Sequence, residues 1–323
     1  MSKTASPLVE IALATWNGAR FLPEQLASLA AQRWPELAIV ASDDGSTDGT
    51  RAILQAFTAR PLRLLPGEGR LGVRGNFAAA LAATQAPYVF LSDQDDWWDP
   101  DKVPAIMARL LELERALGAD YPLLVYCDLA IVDETLQPTG GTWFTATSKA
   151  SGSLDLADLV LTGHVPGCAM AMNRALLDLA LPIPDRAYIH DWWLAQVAAV
   201  KGTIAYVDRP LIRYRQHGGN TLGSATAMSS PVAKLAAVLR RPLSGVRRQL
   251  ATYDAQAAIA DGNLAALRAR FGRDLPAPAL TLLDGFARAG WWHRYRLLRT
   301  ARTGASLPAR AALTLRMGRH PPG

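Results

Sequence analysis

An α/β fold, with a mostly parallel sheet flanked by helices and a basic helical appendage behind it, is what this sequence predicts. Short apolar runs alternate with amphipathic stretches from residue 8 to about residue 207, the alternation that builds parallel sheets with right-handed crossovers. Three of those runs end in polar clusters, Thr15–Gly18, Ser42–Asp48 and Asp93–Asp96. Beyond about residue 230 the alternation stops, and helical patterns interrupted by Pro242, Pro276 and Pro278 replace it.

The elements follow in order. Residues 8–15 read as a buried strand ending at the turn Trp16-Asn17-Gly18. A helix over about 20–32 carries Leu22, Leu26 and Leu29 on one face, and Trp34-Pro35 closes it. A strand over 37–41 runs into Ser42-Asp43-Asp44-Gly45-Ser46-Thr47-Asp48, followed by a helix over about 49–59 and a short strand over 62–65. After the glycine-rich stretch 67–75 come a helix over 76–84 and the strand 88–91. Helix 100–117 and strand 122–127 continue the series, and 133–153 reads as a loop or hairpin. Residues 154–161 and 173–180 read as helices, then helix 191–201, strand 203–207 and a polar turn over 213–223. This places one α/β domain at 1–225 and a helical region at 226–323.

Composition narrows the class. Half of the 323 residues are apolar, enough for a large core. No stretch approaches the roughly 20 uninterrupted apolar residues of a spanning helix, and no signal-peptide pattern opens the chain. Cys127 and Cys168 sit in apolar runs and read as reduced core residues, so the expected location is the cytoplasm. The net charge of +6 is uneven: residues 231–323 hold 16 Lys+Arg against 4 Asp+Glu. No helix-turn-helix, zinc or RNA-binding signature supports nucleic acid. With Trp291, Trp292, Leu297 and Leu298 nearby, peripheral contact with an anionic membrane surface is one reading of this tail, and a solvated helical face is the other.

In open parallel sheets ligands bind past the carboxyl ends of the strands, where the three polar clusters lie. Asn17-Gly18 and Asp44-Gly45 are good turn dipeptides on their own. Asp93-Gln94-Asp95-Asp96 is poorly explained as a turn. Three carboxylates in four residues repel one another, with no Lys or Arg within five residues. A hard divalent cation, Mn²⁺ or Mg²⁺, bridging phosphates would relieve them.

Thr15-Trp16-Asn17-Gly18, Asp43-Asp44-Gly45-Ser46-Thr47-Asp48 and Asp93-Gln94-Asp95-Asp96, in this order and spacing, resemble the family 2 glycosyltransferases with the GT-A fold. The resemblance spans about 1–225 and implies a nucleotide-sugar donor, with the first two turns on the nucleoside and a D-x-D metal motif in the third. It places Thr15, Asn17, Asp43 and Asp44 on the base and ribose. Trp16 stands where the family more often has Tyr. Asp93, with Gln94 beside it, falls on the donor side, and Asp95, Asp93 and Asp96 are the metal candidates. Arg70-Leu71-Gly72-Val73-Arg74-Gly75-Asn76 resembles the family's glycine-containing loop, which makes Arg70 and Asn76 donor candidates.

A second constellation is Tyr188-Ile189-His190-Asp191-Trp192-Trp193 with Tyr214-Arg215-Gln216-His217-Gly218-Gly219-Asn220. Inverting transfer needs a base at the acceptor hydroxyl. The resemblance implies Asp191, whose plain structural role would be a helix N-cap. His190 reads either as tuning that carboxylate or as a buried structural histidine. Of Trp192 and Trp193, about 100° apart on a helix, one can face the site as a sugar platform, and Trp192 is the donor candidate. Arg215 and His217 are within reach of the diphosphate, His217 as a further metal ligand, with a plain loop the other reading.

The wording of this second constellation is similar to bacterial rhamnosyltransferases that build cell-wall and O-antigen polysaccharides from dTDP-L-rhamnose. The expected acceptor is a saccharide or lipid-linked oligosaccharide, and the QxxRW motif of processive synthases is absent. Two other readings remain: a non-catalytic nucleotide-sugar-binding protein, and a sugar-nucleotidyltransferase, which would need a basic Gly-rich loop after residues 8–14.

Overall fold

The computed structural model describes residues 6–218, apart from 68, 148–153, 155 and 162–164, and residues 242–288. Gly219, Asn220, the boundary near 225 and the Trp291–Leu298 cluster lie outside the described residues.

The first half alternates as expected. Strand β1 (Val9–Thr15) leads to helix α1 (Leu22–Ala30), β2 (Leu37–Asp43), α2 (Thr50–Ala56), β3 (Leu62–Leu64), α3 (Gly72–Ala83) and β4 (Tyr88–Ser92). After the short β5 (Trp97–Trp98) come α4 (Lys102–Leu117), β6 (Leu123–Val132) and β7 (Pro138–Thr142). Helices α5 (Trp143–Thr147) and α6 (Leu156–Leu161), strand β8 (Met170–Asn173), helices α7 (Arg174–Ala180) and α8 (His190–Lys201) and strand β9 (Thr203–Arg215) complete this part. Two further helices, α9 (Pro242–Phe271) and α10 (Ala277–Arg288), follow.

All nine strands form one sheet, ordered β3-β2-β1-β4-β8-β6-β9-β5, with β7 paired to β6. β3, β2, β1 and β4 run parallel, and so do β6 and β9. β8 lies antiparallel between β4 and β6 and joins these two parallel groups. The sheet is therefore mixed, where the sequence predicts it mostly parallel. The four residues Met-Ala-Met-Asn make an apolar run too short for periodicity to separate strand from helix.

Strand β9 also outruns its predicted end at 207. Residues 213–223 read as a polar turn, yet the strand continues through Pro210 to Arg215 across a register shift opposite Cys127 and Asp128. Proline is tolerated in a sheet at such a bulge. The extension matters because it delivers Arg215, and then His217, to the three polar clusters.

Alternation along the strands feeds two cores. Ile11, Leu13, Phe90, Val125 and Cys127 pack under α1 and α4 with Leu22, Leu26, Val103 and Met107. Ala12, Val89, Leu91, Leu124 and Tyr126 pack on the other face with Phe77, Leu177, Trp193 and Val197. Ala260, Leu264, Leu267, Leu283 and Phe286 of α9 and α10 belong to this second core. Both cysteines are buried and unbridged. Among the described residues no helix is long and apolar enough to cross a membrane.

Asn173 shows how tightly β8 is fastened. Its Oδ1 accepts from Leu176 N at 3.2 Å, capping α7, and from Leu123 N at 2.9 Å, while Nδ2 donates to Tyr121 O at 2.9 Å. The side chain is 1% exposed. Asn173→Ala strands these buried groups, and the expected loss is about 2–4 kcal/mol, read as a lower urea midpoint with an unchanged m-value.

Candidate active site

The polar clusters converge where β1, β2 and β4 end. Thr15 Oγ1 donates to Asp43 Oδ1 at 2.8 Å, and Asp43 also accepts from Ser46 N at 3.1 Å and Ser46 Oγ at 2.6 Å. Arg51 lies 3.4 Å from its other oxygen. Asn17, with φ of +46°, donates its N–H to Ser46 Oγ and accepts Thr47 N at Oδ1, both at 2.8 Å. Asparagine is among the few side chains suited to that backbone region. Asp44 is 4% exposed and accepts from Leu71 N and from Gly72 N at 3.0 Å, so its carboxylate sits at the start of α3. Asn76 Nδ2 donates to Thr15 O at 3.0 Å, and its Oδ1 is buried without a partner among the described residues. Thr15, Asn17, Asp43, Asp44 and Asn76 are thus brought together, but much of their hydrogen bonding goes to holding the turns to each other. Trp16 is 42% exposed, with the Arg70 guanidinium 4.2 Å from its ring centroid.

Gln94 locks the third turn onto the first. Its Oε1 accepts Trp16 N at 2.7 Å and its Nε2 donates to Trp16 O at 2.9 Å. A Cβ on residue 18 would come within 2.1 Å of Gln94 Oε1, so Gly18 is what lets the amide pass. This clasp is an organising role that the sequence does not disclose.

The acidic turn is crowded. Asp96 is fully buried, with Oδ2 unpartnered among the described residues, and the ligand atoms of Asp93, Asp96 and Cys168 lie within 4.8 Å of one another. Burial first, and then the Asp95 charge, raise the Asp96 pKa to about 7. Burial and then the charges of Asp95, Asp96 and Asp191 push Asp93 well above the carboxylate range. Burial likewise keeps the Cys168 thiol protonated, which leaves hard carboxylate oxygens as the donor set. That set fits a divalent cation. Asp95 and Asp93, less buried than Asp96, are the residues that would hold it, with Asp96 behind them.

Two buried cations and a histidine brace this turn, all distant in sequence or hidden by it. Arg215 is 1% exposed, and its guanidinium donates to Glu24 Oε2 at 2.5 Å, Asp95 O at 2.8 Å and Glu134 O. It faces inward over the Phe21 ring; the expected reach to a diphosphate gives way to holding the Asp95 backbone. Residues 213–215 belong to a strand, which also corrects the polar turn predicted there. His217 Nε2 lies 2.9 Å from Asp95 Oδ2, which keeps it beside the metal candidates. Lys102, fully buried, donates to Cys168 O at 2.7 Å and sits 3.0 Å from the Trp98 ring centroid. Burial lowers its pKa to about 8, while Asp96 and Asp93 hold the proton on. The sequence reading missed Lys102 because it lies one position outside a five-residue window. Its only signal is a lysine opening an otherwise apolar helix face.

Asp191 comes from the far side, on the first turn of α8. The charge on Asp191 is felt at Asp93, so the candidate base and the acidic turn share one site. The N-cap is Ile189, without a side-chain cap, and Asp191 Oδ1 accepts its neighbour Trp192 N at 2.8 Å. Asp191 is therefore not the capping residue. His190 is 3% exposed and stacked on Phe77 at 3.9 Å, and burial lowers its pKa to about 3. A neutral ring lends Asp191 no charge, which favours the structural reading of His190. Trp193 is fully buried with Nε1 donating to Ala180 O at 2.8 Å, whereas Trp192 is half-buried and meets the exposed Tyr188 edge-on at 5.3 Å. Of the tryptophan pair, Trp192 is the one placed for a ligand.

A carboxyl whose folded pKa is raised binds its proton more tightly in the native state, so that stability is present at low pH and lost as pH rises through the raised value. With Asp96 at about 7 against an ordinary 3.8, metal-free protein should lose stability as pH rises from about 4 to about 7. A cation competes with those protons. The thermal shift given by Mn²⁺ should therefore grow over the same interval, and a shift that is flat or shrinks speaks against the acidic turn as the metal site.

Comparisons with known proteins agree with this geometry. The sequence model described as glycosyl transferase family 2 matches residues 10–122, which include all three strand-end clusters. An uncharacterized glycosyltransferase of Nostoc sp. is 29% identical over 236 residues, covering 70% of each chain. The dTDP-rhamnosyl transferase RfbG of Shigella flexneri is 27% identical over 241 residues, covering 70% of this chain and 78% of its own. Among solved structures, residues 1–349 of S. aureus TarS in complex with UDP-GlcNAc align with a TM-score of 0.55 at 19% identity, over 97% of this chain and 93% of that one. A Pyrobaculum calidifontis mannosyltransferase in complex with GDP-Man and Mn²⁺ aligns with a TM-score of 0.50 at 19% identity, over 97% and 87%. Residues 10–122 thus match the glycosyl transferase family 2 model, and the fold around them is the one these solved glycosyltransferases share.

Proposed function

We propose that the protein is a metal-dependent, inverting glycosyltransferase that moves a sugar from a nucleoside diphosphate to a saccharide or lipid-linked acceptor. The observation that carries this reading is the approach of Asp191, on α8, to the Asp93–Asp96 turn at the end of β4, close enough for its charge to raise the Asp93 pKa. This nearness supports a reading in which Asp191 serves the acceptor while the acidic turn serves the diphosphate.

In this mechanism the strand-end turns with Thr15, Trp16, Asn17, Asp43 and Asp44 hold the nucleoside, and Arg70 and Asn76 close the donor side. A divalent cation held by Asp95 and Asp93, with Asp96 behind them and His217 alongside, would offset charge on the leaving diphosphate. Asp191 takes the acceptor hydroxyl proton. The hydroxyl oxygen then attacks the anomeric carbon from the face opposite the diphosphate, the bond to the diphosphate oxygen breaks, and the proton stays on Asp191. Trp192 offers a face to a sugar ring. The likeness to RfbG supports dTDP-rhamnose as donor and bacterial surface polysaccharide as the setting. We place the enzyme in the cytoplasm, with the basic tail against anionic lipid.

Asp191→Asn should keep nucleotide binding and lose turnover by at least about a hundredfold, measured as release of nucleoside diphosphate from the donor. Retained turnover removes Asp191 as the base. In a thermal-shift panel with Mn²⁺, dTDP and dTDP-rhamnose should exceed UDP and GDP. A larger response to UDP keeps the transferase and discards rhamnose, and Asp95→Ala should abolish the metal-dependent part.

A further inference from the structure

The loop that leads into α8, residues 184–189, is held from two sides. On one side stands Arg74, in the first turn of α3. Its guanidinium donates to the carbonyls of Pro184 at 3.2 Å, Asp185, and Ala187 at 3.0 Å, and to Asp185 Oδ1 at 3.2 Å. The start of α3 is itself fastened to Asp44 through the N–H groups of Leu71 and Gly72. On the other side stands α9. Asn263, fully buried, accepts Tyr188 N at Oδ1 over 2.9 Å. Gly262 backs onto the Arg186 carbonyl so closely that a Cβ there would lie 2.8 Å from the oxygen.

The loop does little to hold itself. Ala187 N donates to Pro184 O at 3.0 Å, and the Asp185 and Ala187 carbonyls that Arg74 also collects would otherwise need solvent. Asp191 follows two residues after the loop ends. A proton acceptor displaced by about an ångström from its working position loses about a hundredfold in rate.

We infer that Arg74, Gly262 and Asn263 are positioning residues for Asp191, and that helix α9 is therefore a working part of the transferase rather than an attachment to it. The inference rests on the reading of Asp191 as the base. It also gives the nucleoside side a mechanical line to the base: Asp44 holds α3, α3 carries Arg74, and Arg74 grips the loop before α8. None of these three residues touches the reacting atoms.

Gly262→Ala separates positioning from mere support. Alanine in the middle of a helix ordinarily strengthens the helix, so a supporting role predicts unchanged or faster turnover. Positioning predicts a fall in kcat of about ten- to a hundredfold with the affinity for nucleoside diphosphate and Mn²⁺ unchanged. Asn263→Ala should show the same split, and Asn263→Asp, which keeps an oxygen for Tyr188 N, should recover most of the rate. Turnover is read as nucleoside diphosphate released from the donor sugar, and affinity by calorimetry with the diphosphate that gives the largest thermal shift. Wild-type kcat in Gly262→Ala and Asn263→Ala overturns the inference, and so does a loss of affinity that matches the loss of rate. Asp191→Asn run alongside tells the two failures apart. If it too turns over normally, the assignment of the base has failed; if it is dead while both variants are normal, only the positioning role has.

Discussion

Four carboxylates, Asp93, Asp95, Asp96 and Asp191, converge on one end of a sheet, and two of them are held far from their ordinary ionisation by burial and by each other. Such a cluster pushes itself apart unless something opposes it. Here the opposition is built from Arg215 beneath Asp95 and Lys102 behind Asp96. Much of the surrounding architecture serves that arrangement. The bulge at Pro210 lets β9 run on to Arg215, and α4 starts where its first residue can be buried against Cys168. Gln94 ties the whole turn to Trp16. The fixed cations hold the backbone around the carboxylates: Arg215 donates to Asp95 O and Lys102 to Cys168 O.

The donor side obeys a different constraint. Thr15, Asn17, Asp43 and Asp44 form turns that bond mainly to one another. Their hydroxyls and carboxylates are already oriented before any ligand arrives, which lowers the cost of binding. Trp16, 42% exposed, carries the Arg70 guanidinium on its face.

The strand-end clusters were legible in the sequence because their chemistry is local. Three aspartates in four residues announce themselves, and Asn17-Gly18 and Asp44-Gly45 mark the turns. The expected helices and strands of the first half fell close to their observed bounds, since each has length enough to show its period. What escaped reading was non-local. β8 is four residues long and owes its existence to β4 and β6 on either side. Arg215 read as a diphosphate contact or part of a plain loop because its partners, Glu24, Asp95 and Glu134, are scattered across the first half of the chain. Lys102 carried no reading at all, and only the packed structure shows it without solvent. His190 was open between two roles, and burial with a lowered pKa decided between them.

The brace from Arg215 to Asp95 spans 120 residues of chain. During synthesis at about 5–20 residues per second, the acidic turn waits roughly 6–24 seconds for its counter-charge to be made. Until then three neighbouring carboxylates have no fixed partner from β9, and β6 lacks the parallel neighbour it pairs with in the finished sheet. The nucleoside turns, by contrast, need nothing beyond residue 94 to close on each other. The order in which the chain is made therefore assembles the interlocked turns of Thr15–Asp48 first and the charge-balanced acidic turn last.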